Sequence, residues 1–568
     1  MSFSYWWWGQ TDGGEPPKPI NNCLRFDGKP GQFLRRTVSL QPALPTTMSW
    51  SLWCKFANPM ATNYFYFFES AGGGNDRVFS YINANGSVWG TAGTMAFMTQ
   101  TAGSPTSSIN AGYFRDPSAW MHICGQQTST GASSSGTLWV NGIEIETKAD
   151  AAYRYFPWAM GHTSQTCYAT LGGTVNNTVH LFEGYMAEVF CTKGLYTADD
   201  FGFRNSKGVW LPKDVDIASL DFGTQGFYVN FSDNSNLGKD FSGLGNDLTV
   251  GNTGNEFNTT DPNSPSTYAV PKDSPTANHA ILNWNDRSWA AGGGATADVI
   301  KNSALVSKTN TSNHTRFTQL PQANQKIYCE YNCGTSPHRI GFVPQNFPTG
   351  TGELGSTTSR GIGFASTGNV WYNGSAGNST FTFTAGDVMQ LAYDVNTGNV
   401  WLGKNGAWWN NGNPQTGLTP TYTLPDLGDV KWQFAFQENL GEDATVNTGQ
   451  FEFKYIPPGG YSKLFASVSP KPSIPDTITG SFVGNSSADG PFVYTGCVPG
   501  RIQYGTVDVL YQDRLGQNNV DFLSNGFKVR STVSNTGNVN YTVTTTHTGG
   551  EYDGIKVPFI APANAIFN

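Results

Sequence analysis

The side chains with most to offer chemically in this chain are aromatic. Trp371 and Tyr372 stand together in NVWYNGSAG, and Trp408 and Trp409 in GAWWNNGN. On loops at the end of a β-sandwich, such rings stack on the apolar face of a sugar or give contact area to a protein partner, so these four are the candidate receptor-binding residues. Sandwiches also fill their cores with rings, and Trp371 and Trp408 suit that use equally well. Acid–base chemistry is poorly served. Glycoside hydrolysis needs two carboxylates flanking the scissile bond. Asp199 with Asp200 and Glu442 with Asp443 are sequence neighbours, so their side chains diverge on an extended chain. There is no HExxH or GxSxG, no phosphate-binding GxxxxGKS/T, and no GxGxxG after a strand. His338 in SPHRIGF has no orienting partner in the sequence and reads as a loop residue. The stretch DNSNLGKD from Asp233 fails the EF-hand pattern, because Leu237 takes a ligand position and no Glu stands twelfth. We therefore expect no catalytic residue, no metal and no cofactor.

The elements that must position the rings are strands. Of the residues, 13% are charged and 14% aromatic, and 67 glycines with 31 prolines separate short apolar runs. That composition reads as all-β with many turns. At 568 residues the chain is long enough for several domains, each with its own core. In TLWVNGIEIE a turn at Asn141 and Gly142 pairs Val140 with Ile143 and Leu138 with Ile145, leaving Trp139, Glu144 and Glu146 on the other face. In VDFLSNGFKVRS a turn at Asn525 and Gly526 sets Asp521 opposite Arg530, as a surface contact of little worth. Asn405 and Gly406 make a third such turn in NVWLGKNGAWW. One short helix is expected at TADDFGF, capped by Thr197 with Asp200 closing the box. The eight cysteines, including Cys329 and Cys333, read as buried free thiols, in keeping with synthesis in a reducing cytoplasm. A formal charge of −8 without a Lys/Arg cluster argues against nucleic acid as a partner.

Ordered motifs in the first part of the chain resemble those of laminin G-like, concanavalin A-like jelly rolls: LRFDG (24–28), MSWSLWCKF (48–56), AWMHI (119–123), LWVNG (138–142) and GYMAEVFCTKGLYTADDF (184–201). The stretch TAGDVMQLAYDVNTGNVWLGKNGAWWNNGNPQTG (384–417), followed by WQFAFQ and GQFEFKYIPPGGY, resembles a SPRY domain. Two further stretches are similar to segments of bacteriophage tail and fibre proteins. One is 227–252; the other combines 480–500 with 520–532. The expected organisation is an N-terminal segment (1–20), a laminin G-like jelly roll (21–218), a strand and polar connector (219–275), a SPRY-like β-sandwich (276–464) and a small C-terminal β domain (465–568). The fold class is all-β, with tandem jelly-roll sandwiches.

What the resemblance implies is a non-enzymatic virion protein: a tail fibre or receptor-binding subunit that attaches to a host-surface glycan or protein. It would be made in the host cytoplasm and assembled as a homotrimer with other tail or capsid subunits. The alternatives are a structural head fibre, capsid decoration or adaptor, and, in another class, a polysaccharide depolymerase. Fibres generally join the particle through their N-terminal end. Here that end holds Phe3, Tyr5, Trp6, Trp7 and Trp8 ahead of a Gly/Pro spacer. Rings of this kind suit a groove on a partner subunit, whereas the run is too short for a membrane span and lacks the basic start of a signal peptide. These five are the candidate docking residues, and no membrane insertion is expected.

Overall fold

In the computed structural model, the residues described are 17–57, 64–72, 76–83, 94–101, 104–130, 132–151, 155–174, 180–205, 209–251, 257–260, 268–287, 299–301, 306–308, 315–318, 320–321, 324–335, 337–345, 353–356, 361–428, 431–438, 444–466, 474–548 and 556. Short alternating runs closed by tight turns have produced antiparallel ladders. The first two seven-stranded sheets form a sandwich. One sheet runs Leu24–Asp27, Glu183–Thr192, Thr47–Phe56, Trp120–Ser129, Ser133–Val140, Ile143–Ala151, with Phe227–Val229 also paired to Glu183–Thr192. The other runs Thr249–Val250, Leu34–Val38, Cys167–Leu171, Tyr64–Ala71, Arg77–Asn83, Thr94–Thr101, Ser104–Tyr113. Aromatic side chains fill the gap. Trp50 from the first sheet stacks on Phe68 of the second at 4.9 Å and meets Phe97 edge-on at 5.7 Å. Gly125 makes room for it, since a Cβ there would lie 2.4 Å from the indole.

Segment 219–275, read as a strand and polar connector, contributes a strand to each of these sheets: Val229 pairs with Val189, and Val250 with Leu34. Among its described residues, Asp240 is engaged by the chain itself. The Asp240 carboxylate accepts the N–H groups of Tyr228 at 2.9 Å, Ser242 at 2.8 Å and Asn246 at 2.8 Å. All eight cysteines are buried and free.

The second sandwich repeats the plan. One sheet runs Leu282–Arg287, Thr315–Phe317, Trp432–Glu438, Pro337–Pro344, Ile362–Ala365, Thr367–Tyr372, Ser375–Thr382. The facing sheet runs Val299–Lys301, Val306–Lys308, Ala444–Asn447, Lys326–Asn332, Val388–Asp394, Asn399–Lys404, Ala407–Trp408, with Tyr422–Thr423 also beside Asn399–Lys404. Across the gap Tyr331 stacks on Phe436 at 5.0 Å. The C-terminal region adds a four-stranded sheet (Thr477–Asn485, Thr536–Thr544, Arg501–Tyr504, Val507–Leu510) and a three-stranded one (Phe492–Tyr494, Gly526–Val529, Val520–Leu523).

The turns repay comparison with their sequences. Asn141 and Gly142 take φ of 48° and 77°, and Asn405 and Gly406 take 50° and 90°, the left-handed pair that a tight hairpin requires. After Val140–Ile143 and Trp139–Glu144, however, a bulge inserts one residue, so Leu138 faces Glu146 rather than Ile145. The extra residue lets Ile145 pack against the core. The third hairpin slips by one: Leu523 pairs with Gly526 and Asp521 with Lys528, so the turn is Ser524–Asn525. Gly526 is needed in the strand instead, where a Cβ would lie 1.9 Å from the Val493 carbonyl oxygen. The helix at Ala198–Phe201 forms as expected, the Asp200 carboxylate accepting the Thr197 N–H at 2.7 Å.

Asp521 is no surface residue. It is buried where the C-terminal region meets both sandwiches, accepting Arg115 Nη1 at 2.9 Å and Arg530 Nε at 2.5 Å. Close by in the fold, Asn285 Nδ2 donates to the Arg115 carbonyl at 2.7 Å, and Lys528 Nζ to the Asn285 carbonyl at 2.7 Å. Lys55, wholly buried, reaches Asp273 at 2.7 Å, Asn278 Oδ1 at 2.7 Å and the His279 carbonyl at 2.8 Å. Trp120 Nε1 donates to the other Asp273 oxygen at 2.9 Å. Tyr494 of the C-terminal region gives its hydroxyl to the Phe317 carbonyl at 3.2 Å and accepts Gln433 Nε2 at 3.0 Å. Charges are tolerated this deep only because each is paired and hydrogen-bonded.

Candidate functional site

The four candidate receptor-binding residues fall on one edge of the second sandwich, where the hairpin Thr367–Tyr372/Ser375–Thr382 lies beside Asn399–Lys404 of the facing sheet. The hairpin turns on Asn373 and Gly374, at φ 50° and 80°. Trp371 is only half-buried, and the Arg339 guanidinium covers its ring at 4.6 Å. Arg339 is itself held by the Leu354 carbonyl at 2.6 Å and by Glu353. Trp371 is therefore engaged within the protein, while its neighbour Tyr372 is 39% exposed.

In the second pair both rings are half-buried. The Asn405–Gly406 turn places Trp408 opposite Gly403, packed against the cluster of Tyr328 and Trp401 and meeting Tyr328 at 6.4 Å. Trp409 opens the short 3-10 turn Trp409–Asn411, in which Asn410 and Asn411 take φ of 52° and 51°. Asn and Gly tolerate that conformation best, and the local run Asn410, Asn411, Gly412 supplies both. Trp409 points across the edge to Phe381 of the hairpin, at 5.0 Å.

Two residues not anticipated complete the edge. Phe381 sits at one end beneath Lys404, whose ammonium lies 5.8 Å from the ring and donates to the Thr382 carbonyl at 2.9 Å. Tyr422, opposite Val400, sits toward the other end; burial pushes its phenol up, with Tyr372 near enough to add to the shift. Their signal was present in FTFT and TYTLP, where an aromatic alternates with threonine, but alternation does not say which face meets water. From Ser375 to Phe381 the strand extends about 20 Å. Along that length Trp409, Phe381 and Tyr422 are half-buried, the last two packed against the core, and Tyr372 is exposed, beside the exposed amides of Asn410 and Asn411 and the 62% exposed Leu418. Ring faces with neighbouring amides suit the apolar face and hydroxyls of a sugar. The carboxylate here is committed: Asp387, despite the burial that opposes its charge, is held below its ordinary value by hydrogen bonds from Thr384 and Asn405 and by Lys404.

Other chemical groupings are closed in. Ser51 Oγ lies 2.8 Å from His122 Nε2, which resembles a nucleophile and its base. Both are buried, however, and His122 is packed among Trp53, Phe201 and Trp210. Burial lowers the imidazole to about 3, so it stays neutral, and its Nδ1 has no partner among the described residues. His338 lies on the strand Pro337–Pro344 rather than a loop, 3.5 Å from Glu353. Asp199 and Asp200 occupy the first turn of the short helix, and Glu442 and Asp443 lie outside the described residues. Among the described residues, no group of three or more His, Cys, Asp and Glu is arranged to hold a metal ion, and no helix is long and apolar enough to cross a membrane.

The docking candidates Phe3, Tyr5, Trp6, Trp7 and Trp8 also lie outside the described residues. The chain that follows them is fixed: Lys18 Nζ donates to Glu188 at 2.8 Å and to the Tyr228 hydroxyl at 3.0 Å, and its N–H to the Pro212 carbonyl at 3.0 Å.

No family model matches this chain, and no curated protein matches it. Among solved structures it is similar to domains LG4-5 of the mouse laminin alpha1 chain, at 9% identity over 78% of this chain and 92% of that one, with a TM-score of 0.27. It is similar to the CBM40 of a Ruminococcus gnavus IT-sialidase bound to alpha2,3 sialyllactose, at 18% identity over 28% and 80%, TM-score 0.21. It is also similar to the SPRY domain of human HERC1, at 13% identity over 27% and 94%, TM-score 0.20.

Proposed function

We propose that this chain is a non-enzymatic attachment protein of a bacteriophage virion, a tail fibre or receptor-binding subunit, and that it grips a host-surface glycan along the aromatic edge of its second sandwich. The observation that carries the binding reading is the edge itself: half-buried Trp409, Phe381 and Tyr422 with exposed Tyr372, beside the exposed amides of Asn410 and Asn411. The phage setting rests on the resemblance of segments 227–252, 480–500 and 520–532 to tail and fibre proteins. Shallow sites of this kind bind weakly one at a time, and several copies on one particle raise the avidity through effective concentration. The aromatic N-terminal segment, leading into the Lys18 anchor, is the part we assign to docking on other virion subunits.

The test is calorimetric titration of the full chain with purified host capsule or lipopolysaccharide oligosaccharides. Binding should fall about tenfold in Trp409→Ala, the equivalent of ~1.4 kcal/mol. The sugar should show no new reducing ends after incubation. Unchanged affinity in both Trp409→Ala and Tyr372→Ala would remove the edge from the reading, and release of reducing ends would replace attachment with depolymerisation.

A further inference from the structure

Every open sheet has edges, and a long flat edge strand invites another strand unless something blunts it. Among the described residues, four edge strands are eight residues or longer: Ser104–Tyr113, Ile143–Ala151, Ser375–Thr382 and Thr477–Asn485. Three are blunted. Ser104–Tyr113 contains Pro105 and breaks register twice against its neighbour. Ile143–Ala151 carries Glu144, Glu146, Lys148 and Asp150 and a bulge. Ser375–Thr382 breaks register twice and lies beside Asn399–Lys404 of the facing sheet.

Thr477–Asn485 has none of these devices. Its sequence, TITGSFVGN, has no charge and no proline. It pairs with Thr536–Thr544 through nine successive residue pairs without a bulge. Among the described residues, no strand pairs along its other side. The side chains of Thr477, Thr479, Ser481, Val483 and Asn485 are exposed, Val483 at 46%. The partner strand, TGNVNYTVT, is equally free of charge and half-open, with Thr536, Gly537, Asn538 and Asn540 exposed. The two strands thus form an uncharged, β-branched ribbon in a protein that otherwise protects its long edges.

We infer that the strand Thr477–Asn485 is an assembly edge, and that its occupant is the same strand of a second copy of this chain. A second copy is favoured by the character of the edge. A neutral strand meets its own copy at no cost in like charge, although the whole chain carries −8. A foreign acidic or basic segment would find no counter-charge anywhere on the ribbon. Antiparallel pairing about a two-fold axis would extend the four-stranded sheet across two copies, so that the C-terminal regions join and the aromatic edges multiply.

The experiment uses the full chain. Sedimentation velocity over a range of concentrations should show an assembly of two or more copies, and Thr479→Lys with Val483→Lys should shift it to monomer. Circular dichroism of that variant should match the parent, and so should its melting at a dilution where the parent is monomeric, because both side chains are solvent-facing. Ser481→Lys is the second variant, used if the first pair reduces folded protein. Amide exchange across 477–485 should slow as the parent is concentrated and stay fast in the variants. A parent that remains monomeric at high concentration, or an assembly that survives lysine on this strand, overturns the inference.

Discussion

Lys55, Asp273, Arg115 and Asp521 lie out of water where the sandwiches and the C-terminal region meet, whereas at the edge of the second sandwich Trp409, Tyr372 and Tyr422 keep part of their rings in it. Both regions place residue types against their usual preference. The charges are tolerated because each finds geometry fixed by several elements. Asp273 alone is held by Lys55, Trp120 and the His279 N–H. The rings have no such closure, and what keeps them apart is backbone: two left-handed asparagines at 410 and 411 and the turn at Asn373–Gly374. A joint of that kind gives rigidity, and an edge of that kind leaves contact area unspent.

The largest expected effect lies at the joint. Asp521→Ala leaves Arg115 and Arg530 buried without their shared carboxylate, and should cost about 3–5 kcal/mol, read as a fall in the midpoint of chemical denaturation. Lys55→Met alone should cost a similar amount, because it strands Asp273. Lys55→Met with Asp273→Leu should recover most of the loss, since an apolar pair spares both desolvation penalties. Burial already pushes the Lys55 ammonium down and the Asp273 carboxyl up. If the double variant is as unstable as the single ones, the hydrogen bonds to Asn278, His279 and Trp120 matter more than the charges.

A smaller effect appears in acid. Burial pushes the Asp521 carboxyl up, but Arg530 and Arg115 outweigh it and hold the group below its ordinary value. The unfolded chain therefore binds this proton more readily than the folded one. The contribution is whole above about pH 3.9, the ordinary Asp value, and is lost as the pH falls through the depressed folded value. Asp273 works in the opposite sense, so the comparison to make is parent against Asp521→Asn. Their stability difference should shrink as the pH is lowered from about 4, and a pH-independent difference would assign the role of Asp521 to hydrogen bonding alone.

The same contrast marks what was legible in the sequence. Asn141–Gly142 and Asn405–Gly406 were readable because a left-handed pair of residues is local chemistry. The slip at Ser524–Asn525 was not, because Gly526 is claimed by a neighbouring strand thirty-odd residues away in sequence, about Val493. Likewise Asp521 looked like half of a surface pair until Arg115, from the first sandwich, was seen to share it. Joints are built from such distant partners and are the least visible part of a sequence. At the edge, the tryptophan pairs were conspicuous, but the partners that cover Trp371 and Trp408 are Arg339 and Tyr328, both remote in the chain.

The smallest effect on stability, and the one that separates the two members of a pair, is at Trp408 and Trp409. Trp408 packs on the cluster of Tyr328 and Trp401, so Trp408→Ala removes buried contact and should cost roughly 1–3 kcal/mol of stability. Trp409 meets only the edge residue Phe381 among the ring contacts described, so Trp409→Ala should lie within about 1 kcal/mol of the parent. Its consequence should instead appear in binding, as the tenfold loss of glycan affinity. The two measurements are needed together: if Trp409→Ala destabilises as much as Trp408→Ala, the edge is a continuation of the core, and the contrast between a closed joint and an open edge disappears.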